Sequence, residues 1–99
     1  MISVKGGVSL KKLQPQMAIA FTVIAGCFAE VGQPCRLTSG DDGQHMKTSL
    51  HYKGLAIDIG IIGLYDGGQQ ITAKIKERLG AQFDVVLESN HIHVEFDPK

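Results

Sequence analysis

The sequence lacks an excess of charge of either sign. Ten Lys and Arg residues balance ten Asp and Glu residues, so the formal net charge is zero at pH 7, and the charged positions are scattered along the chain. A concentrated basic patch is the electrostatic footprint of proteins that bind nucleic acid or an anionic membrane surface. We therefore expect neither nucleic acid nor a membrane as a partner.

Cysteine is scarce and tryptophan is absent. Cys27 and Cys35 do not have zinc-finger spacing, and two cysteines do not form the disulfide framework of a small secreted domain. A bridge between them is one alternative, but two reduced and buried thiols are favoured. The 12 glycines indicate many tight turns around a modest aliphatic core, for which a bound metal would be a source of stability.

Long hydrophobic runs are also missing. The most apolar stretch, residues 13–31, is interrupted by Thr22 and Glu30, whereas a membrane-spanning helix needs about 20 apolar residues. Two lysines precede this stretch and Cys27 lies within it, which is similar to a bacterial lipoprotein signal. Cleavage there would remove the only long amphipathic helix that could cover a sheet. We therefore expect no leader and synthesis in the cytoplasm.

The periodicity of the apolar residues predicts the scaffold of one domain, for which 99 residues suffice. A spacing of three and four predicts helices over residues 13–31 and 69–79, which end at Gly32 and Gly80. Residues 1–7 form either a loose first strand or a disordered end. Four further strands are expected over residues 35–38, 55–59, 83–88 and 91–96. The expected fold class is α+β, with a small antiparallel sheet flanked by two helices.

The last predicted strand has one polar and one apolar face. Side chains alternate along a strand, so His91, His93 and Glu95 lie opposite Ile92, Val94 and Phe96. The short link Ser89-Asn90 predicts a tight antiparallel hairpin with Glu88 at its tip.

A second polar position, Asp58, points away from its apolar neighbours in strand 55–59. His51 has the opposite parity, so a turn or bulge at Gly54 is needed before both side chains can face one ion. Two histidines and one carboxylate are the minimum set for a catalytic zinc ion with one open position. The alternative is a hairpin that carries ordinary surface histidines.

Two motifs add a resemblance to known families. The pattern Ser49-x-His51-x-x-Gly54-x-Ala56-x-Asp58, followed by His91-x-His93, resembles the M15 group of zinc D-alanyl-D-alanine peptidases and the related phage cell-wall endopeptidases. The hedgehog signalling domain, whose fold belongs to the same superfamily, is similar in five short stretches: Arg36-Leu37-Thr38, Asp42-Gly43, Ser49-Leu50-His51-Tyr52-Lys53-Gly54, Glu88-Ser89 and His91-Ile92-His93. The resemblance spans about two thirds of the chain and implies a hedgehog/DD-peptidase-like zinc fold.

The resemblance also implies roles for individual residues. It makes His51, Asp58 and His93 the ligands of Zn²⁺ and makes His91 a catalytic residue that neighbours the bound water or the substrate oxyanion. Glu88 is the candidate for proton transfer. In many M15 peptidases a catalytic Asp or Glu stands three residues before the last ligand, and this chain has asparagine at that position.

Substrate contacts are implied less directly. The resemblance places Ser49 among the substrate-binding residues, and Arg36 is the nearest substitute for an arginine that holds a substrate carboxylate in this group. An exposed strand guanidinium is the alternative for Arg36. Asp41 and Asp42 follow Ser39-Gly40 and are similar to part of a calcium-binding loop of hedgehog-like domains, which makes calcium a secondary expectation.

Together these features predict a monomeric zinc metallopeptidase that hydrolyses a peptide bond in peptidoglycan stem peptides, as a DD-carboxypeptidase or an endopeptidase. We expect it to be made in the cytoplasm and to act on the cell wall, as a phage-encoded or virion-associated protein or a bacterial one. The alternative is a non-catalytic, hedgehog-like zinc domain with a structural or interaction role.

Overall fold

A computed structural model describes residues 1–42 and 50–98. Within these residues the chain forms five strands and two helices: β1 (Ile2–Val4), α1 (Pro15–Glu30), β2 (Cys35–Ser39), β3 (Ala56–Gly60), α2 (Gln69–Leu79), β4 (Phe83–Leu87) and β5 (His91–Phe96). Short 3₁₀ turns occupy Leu50–Lys53 and Tyr65–Gly68. The predicted α+β class is confirmed, and the bounds of α2 and β5 agree with the predicted ones.

The five strands form one mixed sheet in the order β1-β2-β3-β5-β4. The β2–β3, β3–β5 and β5–β4 pairs are antiparallel, but β1 is parallel to β2. The expectation of a purely antiparallel sheet is therefore wrong. The reason is α1, which connects β1 to β2 and carries the chain back to the end of the sheet from which β1 started.

The two faces of the sheet differ in chemistry. The cross-strand pairs Ile57–Val94 and Ile59–Ile92 belong to the buried core, which also includes Met17, Ile24 and Phe28 of α1 and Ile71 and Ile75 of α2. The alternate pair Asp58–His93 lies on the opposite face. This alternation was predicted from the sequence, and it places the polar candidates on the face away from the helices.

Helix α1 begins and ends at the signals predicted for it. Pro15 is its first residue, where a missing N–H costs nothing. At the other end Gly32 adopts φ +68°, and the N–H of Gln33 donates to the carbonyl of Phe28 at 3.0 Å. Among the described residues, no helix is both long enough and apolar enough to cross a membrane.

Both cysteines are buried and neither forms a disulfide, as favoured from the sequence. Cys27 lies in α1 and Cys35 in β2, and both belong to the hydrophobic core. Burial raises the pKa of the Cys35 thiol to about 11, so this side chain behaves as a small apolar group.

Candidate metal centre

Two of the three predicted ligands face each other across neighbouring strands. Asp58 of β3 and His93 of β5 are register partners in the antiparallel pair. Side chains at such positions lie on the same face with Cβ atoms roughly 5 Å apart. The carboxylate Oδ1 of Asp58 is 3.0 Å from Nδ1 of His93.

The third predicted ligand, His51, reaches the same point from the 3₁₀ turn Leu50–Lys53. The turn closes at Gly54, whose N–H donates to the His51 carbonyl at 3.0 Å and whose φ is +71°. The left-handed residue reverses the chain before β3 begins. The predicted reset of side-chain direction at Gly54 is confirmed, and His51 is only 2% exposed.

The ligand atoms have the spacing of a tetrahedral site. Nε2 of His51 is 3.3 Å from Oδ1 of Asp58 and 3.3 Å from Nδ1 of His93, and the third separation is 3.0 Å. With zinc–ligand bonds of about 2.0–2.1 Å, two ligand atoms of a tetrahedral ion lie roughly 3.3 Å apart. The three residues therefore form a buried group that could hold a metal ion.

In the imidazole rings of His51 and His93, the nitrogen that faces away from the cluster has its own hydrogen-bond partner. Nδ1–H of His51 donates to the carbonyl oxygen of Gly40 at 2.8 Å, which leaves Nε2 for the ligand cluster. Nε2–H of His93 donates to Oε1 of Glu95 at 2.6 Å, which leaves Nδ1 for the cluster. Hydrogen bonds of this kind fix the tautomer and orientation of metal-binding histidines.

Before an ion binds, Asp58 and His93 carry opposite charges. Burial raises the pKa of the Asp58 carboxyl, but the ring nitrogens of His51 and His93 that face it lower the pKa more, so the carboxyl titrates well below its usual range. The hydrogen bond to Asp58, aided by the one to Glu95, outweighs burial and raises the pKa of His93 to about 9.

Zinc affinity is expected to rise with pH up to about pH 9. A histidine ligand must lose the proton that faces the ion, and His93 keeps that proton up to its pKa of about 9. Between pH values of about 7 and about 9 the affinity should increase roughly tenfold per unit and then level off. Competition titrations against a chelator of known affinity measure the slope, and an affinity that does not change over this range would contradict the assigned proton.

The stability of the chelator-treated protein should fall over the pH range in which the zinc affinity rises. Because the pKa of His93 is raised on folding, the interactions of its protonated ring add to the free energy of unfolding. This contribution is fully present below about pH 6.5 and is lost as the pH rises through about 9. The contribution of Asp58, whose pKa is lowered, is present above about pH 4 and is lost in acid. Urea unfolding across this pH range should therefore show maximal stability between about pH 4 and about pH 6.5.

The candidates for catalysis lie beside the ligand cluster. Nε2 of His91 is 3.7 Å from Oδ1 of Asp58 and 3.9 Å from Oε1 of Glu88. The tight hairpin predicted at residues 89–90 is present, with the N–H of Glu88 donating to the His91 carbonyl at 2.8 Å. Glu88 therefore follows the end of β4, at the tip of the hairpin, and 47% of its side chain is exposed.

A cavity of about 740 Å³ opens next to the cluster. Its lining includes Asp58, His91 and Arg36 of β2. Lys5, which follows β1, also lines this cavity and was not predicted. Only the parallel pairing of β1 with β2 brings Lys5 here, and no local pattern in the sequence indicates that pairing. Ser49, the other expected substrate contact, lies outside the described residues.

The two acidic residues considered for calcium have backbone partners. Asp41 Oδ2 accepts from the N–H of Lys12 at 2.6 Å, and Asp42 Oδ1 accepts from the N–H groups of Ser9 and Gly40 at 3.0 and 2.8 Å. These bonds hold the segment before α1 against Gly40, whose carbonyl orients His51. Within residues 1–42 and 50–98, neither aspartate belongs to a group of three potential metal ligands.

No protein-family model matches the chain, and no curated protein matches it significantly in sequence. Function must therefore be inferred from the geometry of the site together with the motifs.

Gly54 is the residue on which the position of His51 depends most directly. Its φ is +71°, and a Cβ at this position would collide with the carbonyl oxygen of Lys12. Gly54→Ala is expected to lower the free energy of unfolding by about 2–4 kcal/mol and to weaken metal binding. Urea unfolding of the two proteins measures the difference.

Gly63→Ala is the matched control for this substitution. Gly63 has a similar φ of +78°, but nothing lies within 4 Å of the point that a Cβ would occupy there. Gly63→Ala should therefore lower the free energy of unfolding by only about 1 kcal/mol, which is the cost of placing alanine in a left-handed backbone conformation. Equal losses in the two variants would show that the contact with Lys12 is not what requires glycine at position 54.

Proposed function

We propose that the protein is a zinc-dependent peptidase that hydrolyses a peptide bond in peptidoglycan stem peptides. The observation that carries this proposal is the near-tetrahedral spacing of three ligand atoms, 3.0–3.3 Å apart, beside an open cavity. Three protein ligands with one open position are typical of catalytic zinc, whereas structural zinc has four. The resemblance of the motifs to M15 peptidases supports the substrate class.

The donor set suits zinc in particular. Two imidazole nitrogens and one carboxylate oxygen form a mixed ligand set of the kind found at catalytic zinc, whereas calcium and magnesium prefer oxygen ligands alone. When bound, the ion supplies Lewis acidity, which polarises the scissile carbonyl and acidifies water.

The chain's own residues supply proton transfer and charge stabilisation. Glu88 can accept a proton from the attacking water and pass it to the leaving amine, because its carboxylate is exposed at the hairpin tip beside His91. An N–H at Nε2 of His91 can donate a hydrogen bond to the developing oxyanion, since Nε2 points toward the cluster and His91 lines the cavity. Asn90 also lines the cavity but cannot act as a base.

Arg36 and Lys5 are proposed to hold a carboxylate of the substrate. Both line the cavity that also contains Asp58 and His91, so a peptide bound there would have a cationic contact on one side of its scissile bond. Arg36→Gln and Lys5→Gln should each raise KM about tenfold with little change in kcat. Lys76→Gln, on the exposed side of α2, is the control. A fall in kcat at unchanged KM would contradict this role.

Digestion of purified peptidoglycan tests the proposal as a whole. Zinc-loaded protein is expected to release peptide fragments whose masses identify the scissile bond, and a chelator should stop the release. Failure of the zinc-loaded protein to cleave any cell-wall peptide would contradict the proposed peptidase activity.

A non-catalytic, hedgehog-like zinc domain is the second candidate. Nε2 of His91 is 3.7 Å from Oδ1 of Asp58, so a small movement of this ring could complete a closed set of four ligands. The absorption spectrum of the cobalt-substituted protein distinguishes the two, because an open site changes its spectrum when a small anion is added and a closed site does not.

A further inference from the structure

Glu95 makes a direct contact with one of the proposed ligands. It lies two residues after His93 on the same face of β5, and its Oε1 is 2.6 Å from Nε2 of His93. The side chains of His93 and Glu95 are 18% and 23% exposed, so the hydrogen bond is largely shielded from water. Charge-assisted bonds of this length are stronger than neutral ones.

We infer that Glu95 is the positioning residue of His93, an inference that rests on the proposed zinc site. A neutral imidazole carries one proton, and the carboxylate holds that proton on Nε2. The lone pair is then on Nδ1, the nitrogen that lies 3.0 Å from Asp58 and 3.3 Å from His51. Glu95 thereby determines which nitrogen of His93 binds the ion, and its charge makes that nitrogen a better donor.

The two ligand rings need opposite tautomers, which is why each requires its own partner. His51 presents Nε2 to the cluster because the Gly40 carbonyl accepts from its Nδ1–H. His93 presents Nδ1. The partner of His51 is a backbone atom that no substitution removes, whereas the partner of His93 is a side chain. The effect of the His93 tautomer on zinc affinity can therefore be measured by replacing Glu95.

Asp84 provides the matched control. It is the register partner of Glu95 on β4, and a carboxylate oxygen of each lies within 4.8 Å of the other. Asp84→Asn removes a negative charge next to Glu95 and leaves the identities of Glu95 and His93 unchanged. Comparison of the two positions separates the hydrogen bond to His93 from a general effect of negative charge on the affinity for a cation.

The test measures the zinc dissociation constants of wild-type protein, Glu95→Gln, Glu95→Ala and Asp84→Asn by competition with a chelator. Glu95→Ala should bind zinc about 10–100-fold more weakly, Glu95→Gln should be intermediate because its amide oxygen still accepts the hydrogen bond, and Asp84→Asn should stay within about threefold of wild type. Equal losses at positions 84 and 95, or a Glu95→Ala affinity within about twofold of wild type, would overturn the inference.

Nitrogen-15 shifts of the histidine rings in zinc-loaded wild-type protein test the same point without a substitution. His93 is expected to bind zinc through Nδ1 and to retain its proton on Nε2, and binding through Nε2 would overturn the inference. Tight zinc binding by wild type and Glu95→Ala alike would overturn only the role of Glu95. A wild-type protein that binds no zinc would overturn the proposed function as well.

Discussion

Replacing Asp58 with asparagine is expected to weaken zinc binding by more than about a hundredfold and to abolish hydrolysis. The carboxylate is the only negative member of the proposed ligand set, and its Oδ1 lies 3.3 Å from His51 and 3.0 Å from His93. Asparagine keeps the shape of the side chain and can still accept a hydrogen bond from His93, but it has lost the charge that attracts the cation. Chelator competition measures the affinity, and circular dichroism checks that the fold is retained.

Asp66→Asn serves as the control for this variant. Asp66 is exposed in the 3₁₀ turn that precedes α2, where its carboxylate accepts from the N–H of Gln70, and it is not a member of the ligand cluster. It should bind zinc as wild type does. If Asp58→Asn also retained wild-type affinity, the ion would have to be held elsewhere in the chain.

Replacing Glu88 with glutamine should have the second largest effect. Hydrolysis of stem peptides is expected to fall by at least about a hundredfold, because glutamine cannot carry the proton between water and leaving group. Zinc binding should be unchanged, since Glu88 is outside the ligand cluster and contacts His91 only at 3.9 Å. Its half-exposed side chain has little packing to lose, so the substitution tests chemistry and not stability.

Glu77→Gln, on the exposed side of α2, is the matched control and should have wild-type turnover. Turnover is measured with a purified stem peptide, and zinc content is measured in the same samples. A Glu88→Gln variant with wild-type turnover would remove Glu88 from the mechanism. Loss of zinc together with loss of turnover would show instead that Glu88 contributes to the metal centre.

The parts of the site that follow from local periodicity could be predicted from the sequence. Alternation along residues 91–96 places His91 and His93 on the face opposite the core, and the same rule turns Asp58 away from its apolar neighbours. The need for a reversal at Gly54 also follows, because His51 and Asp58 have opposite parity. These predictions depend only on backbone geometry over a few residues.

The parts that depend on tertiary contacts could not be predicted. Lys5 reaches the cavity only because β1 pairs in parallel with β2, and nothing in three strand residues specifies a partner or a direction. The hydrogen bond from His51 to Gly40 joins a side chain to a backbone carbonyl 11 residues earlier in the chain, so it has no sequence pattern. Alternation along β5 places Glu95 on the same face as His93, but the 2.6 Å hydrogen bond between their side chains depends on side-chain conformations that the sequence does not specify.

Metal analysis decides whether His51, Asp58 and His93 together hold one zinc ion. Protein purified without chelators, supplied with zinc and then desalted should contain one zinc per chain by elemental mass spectrometry. The Asp58→Asn variant treated in the same way should contain almost none. Wild-type protein that retains no zinc after this treatment would contradict the metal centre and the peptidase proposed from it.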